Sequence, residues 1–137
     1  MKIHAFRLKP GCDLKSEIDK YVVENNITSG VILTCVGNLS EATLRMADAS
    51  IINKYTGSYE IVSCVGTLEK NYSHIHLSLS DKDGKVIGGH LKIGSIVGIT
   101  AEIVIGEIRN LKFQRKFDEE SGYNELVVTK IQDETSS

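Results

Sequence analysis

Polar and apolar residues alternate strictly from His74 to Ser80, and the stretch Ser73 to His90 holds three of the four histidines. Ile75, Leu77 and Leu79 alternate with His74, His76, Ser78 and Ser80. That is the period of a strand with one apolar and one polar face. His74 and His76 therefore project to the same side, about 7 Å apart along the strand, and both rings can lean onto one metal ion. Asp81 to Gly84 reads as a tight turn, with Gly84 supplying positive φ. The chain then returns antiparallel, and Gly88-Gly89 lets it pass close to its neighbour before His90. A third imidazole is thereby brought towards the first two. Three neutral histidines with no fourth protein ligand are the donor set of an open, water-bearing zinc site. The same pattern also suits histidines that are merely exposed or hydrogen-bonded on the polar face of a strand.

A chain of 137 residues is most simply one domain, long enough to bury a core. Its formal net charge of −2 gives no global electrostatic footprint for nucleic acid. Cys12, Cys35 and Cys64 are odd in number and form no Cys-x-x-Cys. Cys35 and Cys64 sit in apolar runs, where free cysteine behaves as a small buried hydrophobe. A reduced, cytoplasmic protein is expected. The N-terminus lacks the apolar core of a signal peptide. The longest apolar stretch, 96–108, is broken by Gly98, Thr100, Glu102, Gly106 and Glu107, too often for a membrane span.

Before the histidine stretch, a first strand over 2–9 ends at Pro10-Gly11 and carries His4 in a structural role. Asp13 is a good N-cap, and Leu14, Ile18, Tyr21 and Val22 follow at helical spacing, which predicts one helix over about 13–25. The run 30–39 suits a strand buried on both faces, Gly37-Asn38 a bend, and 41–47 a hairpin partner. Residues 50–58 read as loop, and 59–70 as a strand with a possible bulge at Gly66. The run 96–108 reads as a long central strand interrupted by Glu102. A buried carboxylate there must be ion-paired, hydrogen-bonded or metal-bound. An ion pair with an arginine such as Arg45, or a solvent-facing edge position, is the structural account. A metal ligand, or a base acting on metal-bound water, is the functional one. Lys112, Arg115 and Lys116 interleave with Phe113 and Phe117, but Asp118-Glu119-Glu120 cancels their charge, so a solvated edge strand is expected. A last strand over 123–131 precedes a polar tail, 132–137. One helix and about eight strands argue for an α+β domain on a curved, mainly antiparallel or mixed sheet. The apolar content of 93–108 exceeds what a half-solvated sheet needs, which predicts an oligomer.

Five blocks taken together resemble a known family: Ala42 to Arg45, Tyr59 to Ser63, Ser73 to Leu79, Gly88 to Leu91 and Thr100 to Gly106. In this order they look like the successive blocks of the PPC domain, the plants-and-prokaryotes-conserved domain. The resemblance runs from about His4 to Val128 and places the domain at 1–131. It implies an α+β fold, a homotrimer and, for prokaryotic members, DNA binding. The fold further resembles that of acetolactate decarboxylase, in which a His-x-His pair and a later histidine hold zinc. Carried over, that points to His74, His76 and His90. The chain lacks the Arg-Gly-Arg-Pro hook by which plant members enter the minor groove. The plant Gly-Arg-Phe-Glu-Ile-Leu partner segment corresponds to Gly57, Ser58, Tyr59, Glu60, Ile61 and Val62, with Ser58 replacing its arginine.

Three functions follow as expectations. One is a trimeric module assigned to DNA or transcription. Another is a zinc-dependent hydrolase or lyase, with Glu102 or Glu60 as base and Arg45 as an anion anchor. The last is a small-molecule binder whose histidines line a polar inter-subunit pocket without metal. The preferred reading joins the first two: a homotrimeric PPC-domain protein, a module associated with DNA binding or transcription, that carries a three-histidine metal or small-ligand site. Three imidazoles suit zinc, copper, iron and nickel alike.

Overall fold

The computed structural model describes residues 1–132. Its strands are β1 (Lys2–Leu8), β2 (Gly30–Arg45), β3 (Ile52–Glu69), β4 (Tyr72–Ser80), β5 (Val86–Leu91), β6 (Ile96–Glu107), β7 (Leu111–Asp118) and β8 (Tyr123–Lys130). The helix, α1 (Leu14–Glu24), begins where Asp13 caps it, its carboxylate accepting from the Ser16 N–H at 3.0 Å. Six strands form one sheet in the order β1-β6-β2-β3-β4-β5, and β7 and β8 form a separate hairpin. Every pairing is antiparallel.

β5 pairs with β4 and also with the end of β2, through Leu44–Leu91 and Arg45–His90. This second pairing closes β2, β3, β4 and β5 on themselves. Glycine lets β5 come close to both neighbours, β4 and β2. A Cβ on Gly88 would lie 2.6 Å from the Leu77 carbonyl oxygen, and one on Gly89 would lie 2.8 Å from that of Arg45.

Leu14, Ile18 and Val22 of α1 are buried against the sheet together with Ile27. From the sheet come Leu39, Leu44, Leu68, Ile75, Leu79, Leu91, Ile103 and Ile105, all but inaccessible. Burying each such side chain stabilises the fold by about 1.5–3 kcal/mol. On β4 the alternation resolves as expected: Ile75, Leu77 and Leu79 face the core while the histidines face away.

Elsewhere the structure departs from expectation. Residues 30–45 form one strand rather than a hairpin, because Gly37-Asn38 makes a bulge, with the β2–β6 register shifting between Gly37 and Leu39. The Asn38 side-chain oxygen accepts from the Ile99 N–H at 2.8 Å, in place of a ladder bond. Most of the stretch read as loop, 52–58, is the first part of β3, paired with β2 from Arg45–Ile52 to Glu41–Thr56. The irregularity between β3 and β4 falls between Ile61 and Ser63 rather than at Gly66. β2 is not covered on both faces: Leu33 and Val36 are about half exposed. His4 is buried and structural, bonded to the Tyr21 hydroxyl and the Glu107 carboxylate at 2.8 Å each. Of the expected polar tail, 133–137 lies outside the described residues. No helix among the described residues is long and apolar enough to cross a membrane.

Candidate metal centre

The three histidines converge at the seam where β5 joins β4. His76 and His90 are directly cross-strand, and His74 lies two residues back on the same face. Each offers one ring nitrogen within 4.8 Å of the others. The Nε2 atoms of His74 and His76 stand 3.1 Å apart. Two nitrogens on a tetrahedral zinc at 2.0–2.1 Å would be separated by about 3.3 Å, so the pair already has nearly the bite of a chelate. Ring centroids are 4.8 Å apart for His74–His76, 5.3 Å for His74–His90 and 5.5 Å for His76–His90.

Local structure holds the rings in place. Ser73 is buried on the opposite face of β4, where it donates to Asp19 of α1 and accepts from the Lys15 ammonium at 2.8 Å. The helix thus anchors the backbone just before His74. At the other end, the Ser95 hydroxyl donates to the Lys92 carbonyl at 3.0 Å and accepts from the Thr43 N–H at 3.1 Å. This pins the exit of β5 to β2.

The electrostatics favour neutral rings at His74 and His90. Burial, then the positive charge of Arg45, pushes His90 down to about 4. Burial also lowers His74, followed by the neighbouring His76, Arg115 and Arg45. An imidazole without its second proton has a free lone pair, the form that binds metal. The donor set and its convergence fit a divalent ion. Beside His76 and His90 lies a hollow of about 510 Å³, lined also by Arg45, Met46, Ala47, Gly88 and Gly89.

Of the three candidates for acid, base or anchor, the fold brings one to the histidines. Arg45 is half-buried across from His90, its Nη2 3.5 Å from His90 Nδ1. Glu60 is exposed and pairs with Ser80, four residues along β4 from His76. Glu102 is exposed rather than buried and lies opposite Arg7 and Val36. Val36 is nine residues before Arg45 on β2, roughly 30 Å at the rise of a strand. Within one chain Glu102 therefore neither pairs with Arg45 nor meets the histidines. Gly57 to Val62 lie in mid-β3, with Ser58, Glu60 and Val62 exposed and Ile61 buried.

Sequence reasoning passes over Glu69 and Tyr72 and gives Arg115 no part in the site, yet all three line one cavity with His74. The charge pattern puts Arg115 on a solvated edge, yet its guanidinium lies 4.8 Å over the Tyr72 ring and donates to Thr67 Oγ1 at 3.2 Å. The signal that points to it is alternation: Phe113 is buried, and Arg115, two residues on, shares its side of β7.

Fold and site together define a small α+β domain whose sheet is closed at a histidine-lined seam. The chain belongs to the Plants and Prokaryotes Conserved (PCC) domain family, also written PPC, whose model matches residues 1–109. It is similar to the bifunctional protein GlmU of Synechococcus sp. (strain JA-3-3Ab), at 36% identity over 98% of this chain. The chain spans about a fifth of that relative's length, 22%. Among solved structures, a hypothetical protein from Salmonella cholerae-suis is 37% identical, with a TM-score of 0.92 and 94% of both chains covered. A metal-containing protein from Archaeoglobus fulgidus is 28% identical, with a TM-score of 0.77 over 93% of this chain and 94% of that one. A Bacteroides thetaiotaomicron protein, named for an expected DNA-binding role, shares the fold at 21% identity, with a TM-score of 0.81 and 91% of both chains covered.

Proposed function

We propose that this chain is a homotrimeric PPC-type module of the cytoplasm, with its domain at 1–131, that holds one divalent metal ion on His74, His76 and His90. Zinc is the first choice for the ion. The observation that carries the reading is the facing of His74 and His76 Nε2 atoms at 3.1 Å, with the buried His90 beside them. The name of the Archaeoglobus relative as metal-containing supports it. Three unpaired cysteines suit a reducing compartment. A trimer is supported by apolar side chains left in solvent on β2, β3 and β6: Leu33, Val36, Val62, Val65 and Ile99.

The decisive experiment is elemental analysis of untagged protein beside the triple variant His74→Ala/His76→Ala/His90→Ala. About one metal per chain in the wild type and none in the variant is the expected result. A full equivalent in the variant would place the metal elsewhere.

Direct DNA contact is supported by the naming of the Bacteroides relative and opposed by a net charge of −2. Counterion release makes any such binding fall steeply with salt. A duplex shifted at low salt and freed as salt rises is the outcome this role requires. A partner surface at Gly57, Ser58, Tyr59, Glu60, Ile61 and Val62 belongs to the same regulatory reading. The enzymatic alternative, an acetolactate-decarboxylase-like hydrolase or lyase, uses the same centre with Arg45 as anchor. Glu60 and Glu102 lie apart from the histidines within one chain, so its base would have to come from elsewhere.

A further inference from the structure

A cavity of about 710 Å³ lies between the β7–β8 hairpin and the start of β4, with Arg45, Glu69, Tyr72, His74, Arg115 and Glu125 among its walls. Its size is that of a small-molecule site. What marks it is a set of unmet hydrogen bonds. Arg45 and Arg115 each keep a buried Nε without a partner, and Glu69, 8% exposed, keeps a buried Oε1 without one. The ion pairs among the described residues are His4–Glu107, Lys15–Asp19 and Lys20–Glu24, so neither arginine is neutralised by a carboxylate. Buried polar atoms left without a hydrogen bond are costly, most of all on charged groups. Two half-buried arginines with no carboxylate partner and a buried glutamate, around one hollow, call for a ligand that offers acceptors to the arginines and a donor to the glutamate.

The chemistry narrows further. Arg115 is held against Tyr72 and Thr67, which fixes its planar fork, and such a fork matches a carboxylate. Glu69 accepts from a hydroxyl or an ammonium group. Glu125, also in the wall, sets a second negative charge against phosphate and other polyanions. We infer that this cavity binds a small organic acid bearing one hydroxyl or amino group, its carboxylate on Arg45 and Arg115 and its donor on Glu69. Since His74 also lines the cavity, the bound acid lies beside the histidine cluster. This deepens the metal-centre reading, yet the two can fail separately.

The test uses the full chain labelled with nitrogen-15, observing the arginine side-chain Nε–H signals. Glycolate carries both required groups; acetate lacks the donor, and glycolamide lacks the charge. Glycolate should shift the Arg45 and Arg115 signals and bind at least about tenfold more tightly than either comparison compound, the size of one lost charged hydrogen bond. Arg115→Gln should weaken glycolate by at least about tenfold, and Glu69→Gln should erase the preference for glycolate over acetate. The three-probe comparison needs no variant, so it stands even where a substitution unfolds the protein. Glycolamide binding as well as glycolate, inorganic phosphate binding more tightly than glycolate, or no shift in the folded protein would each overturn the inference. Metal content is measured on the same sample. One metal per chain with no glycolate response sinks the cavity and leaves the metal centre. A glycolate response in protein purified without metal does the reverse.

Discussion

If closure of the sheet by β5 is what gathers the histidines, then one methyl group at Gly89 should scatter them. A Cβ placed there lies 2.8 Å from the Arg45 carbonyl oxygen, 3.0 Å from Met46 Cε and 3.1 Å from Leu44 Cβ. The methionine end can swing away. The backbone oxygen and the fully buried leucine cannot, so β5 must retreat from β2 by several tenths of an ångström. Overpacking of this kind costs about 1–3 kcal/mol, which for a chain of this size lowers Tm by roughly 5–10 °C. The same retreat opens the Arg45–His90 pairing and carries His90 off its position. Metal ligands tolerate only about 0.2 Å, so metal affinity should fall along with stability. Gly84→Ala is the control. Its turn has φ +83, and a methyl added there meets no atom within 4 Å, far from the seam. It should destabilise by about 1 kcal/mol through backbone strain alone and leave metal affinity intact. Thermal melts of metal-free protein, with competition against a chromophoric chelator, measure both quantities. A Gly89→Ala protein that melts early yet binds metal at wild-type affinity would refute the claim that β5 closure places His90.

The remaining predictions concern the core, the histidines and the exposed face. Ile18→Ala empties a fully buried site beneath the sheet and should cost about 3 kcal/mol in urea unfolding; a loss under about 1 kcal/mol would mean the helix packs loosely. In metal-free protein, His90 is held near 4 by burial and Arg45, below the ordinary imidazole value of about 6.5. The unfolded chain therefore takes up a proton first, and stability should fall as pH drops from about 6.5 towards 4, by at most about 3 kcal/mol. Above that window it should be flat, and His90→Gln should reduce the acid slope; an unchanged slope in the variant would assign it to other groups. Val65, 58% exposed on β3, is set against solvent only if no second copy covers it. Val65→Asp should convert a trimer to monomer by light scattering, and a variant that stays trimeric places the interface elsewhere.

The parts of this molecule that its sequence announces are those whose causes are local. His74, His76 and the turn before His90 follow from a period of two and one glycine, and α1 follows from Asp13 and four apolar residues at helical spacing. The misread parts depend on what lies across the fold. Gly37-Asn38 has the composition of a bend, yet Asn38 lends a side-chain oxygen to Ile99 and the strand runs on. Residues 52–58 are polar enough for a loop because much of this half of β3 faces solvent, and β2 supplies its hydrogen bonds all the same. Glu102 sits amid apolar residues, but its strand has an outer side, and that is where it points. Arg45 and Arg115 are 70 residues apart and meet at one cavity only because β5 closes onto β2 and the last hairpin folds over β4. The donor atoms of the candidate metal centre all come from one hairpin, β4–β5, whereas the groups that would choose its ligand come from β2, β3, β7 and β8. On this reading metal binding and ligand choice are separately encoded, and substitutions in the last hairpin should change what enters the cavity while the histidine seam stays as it is.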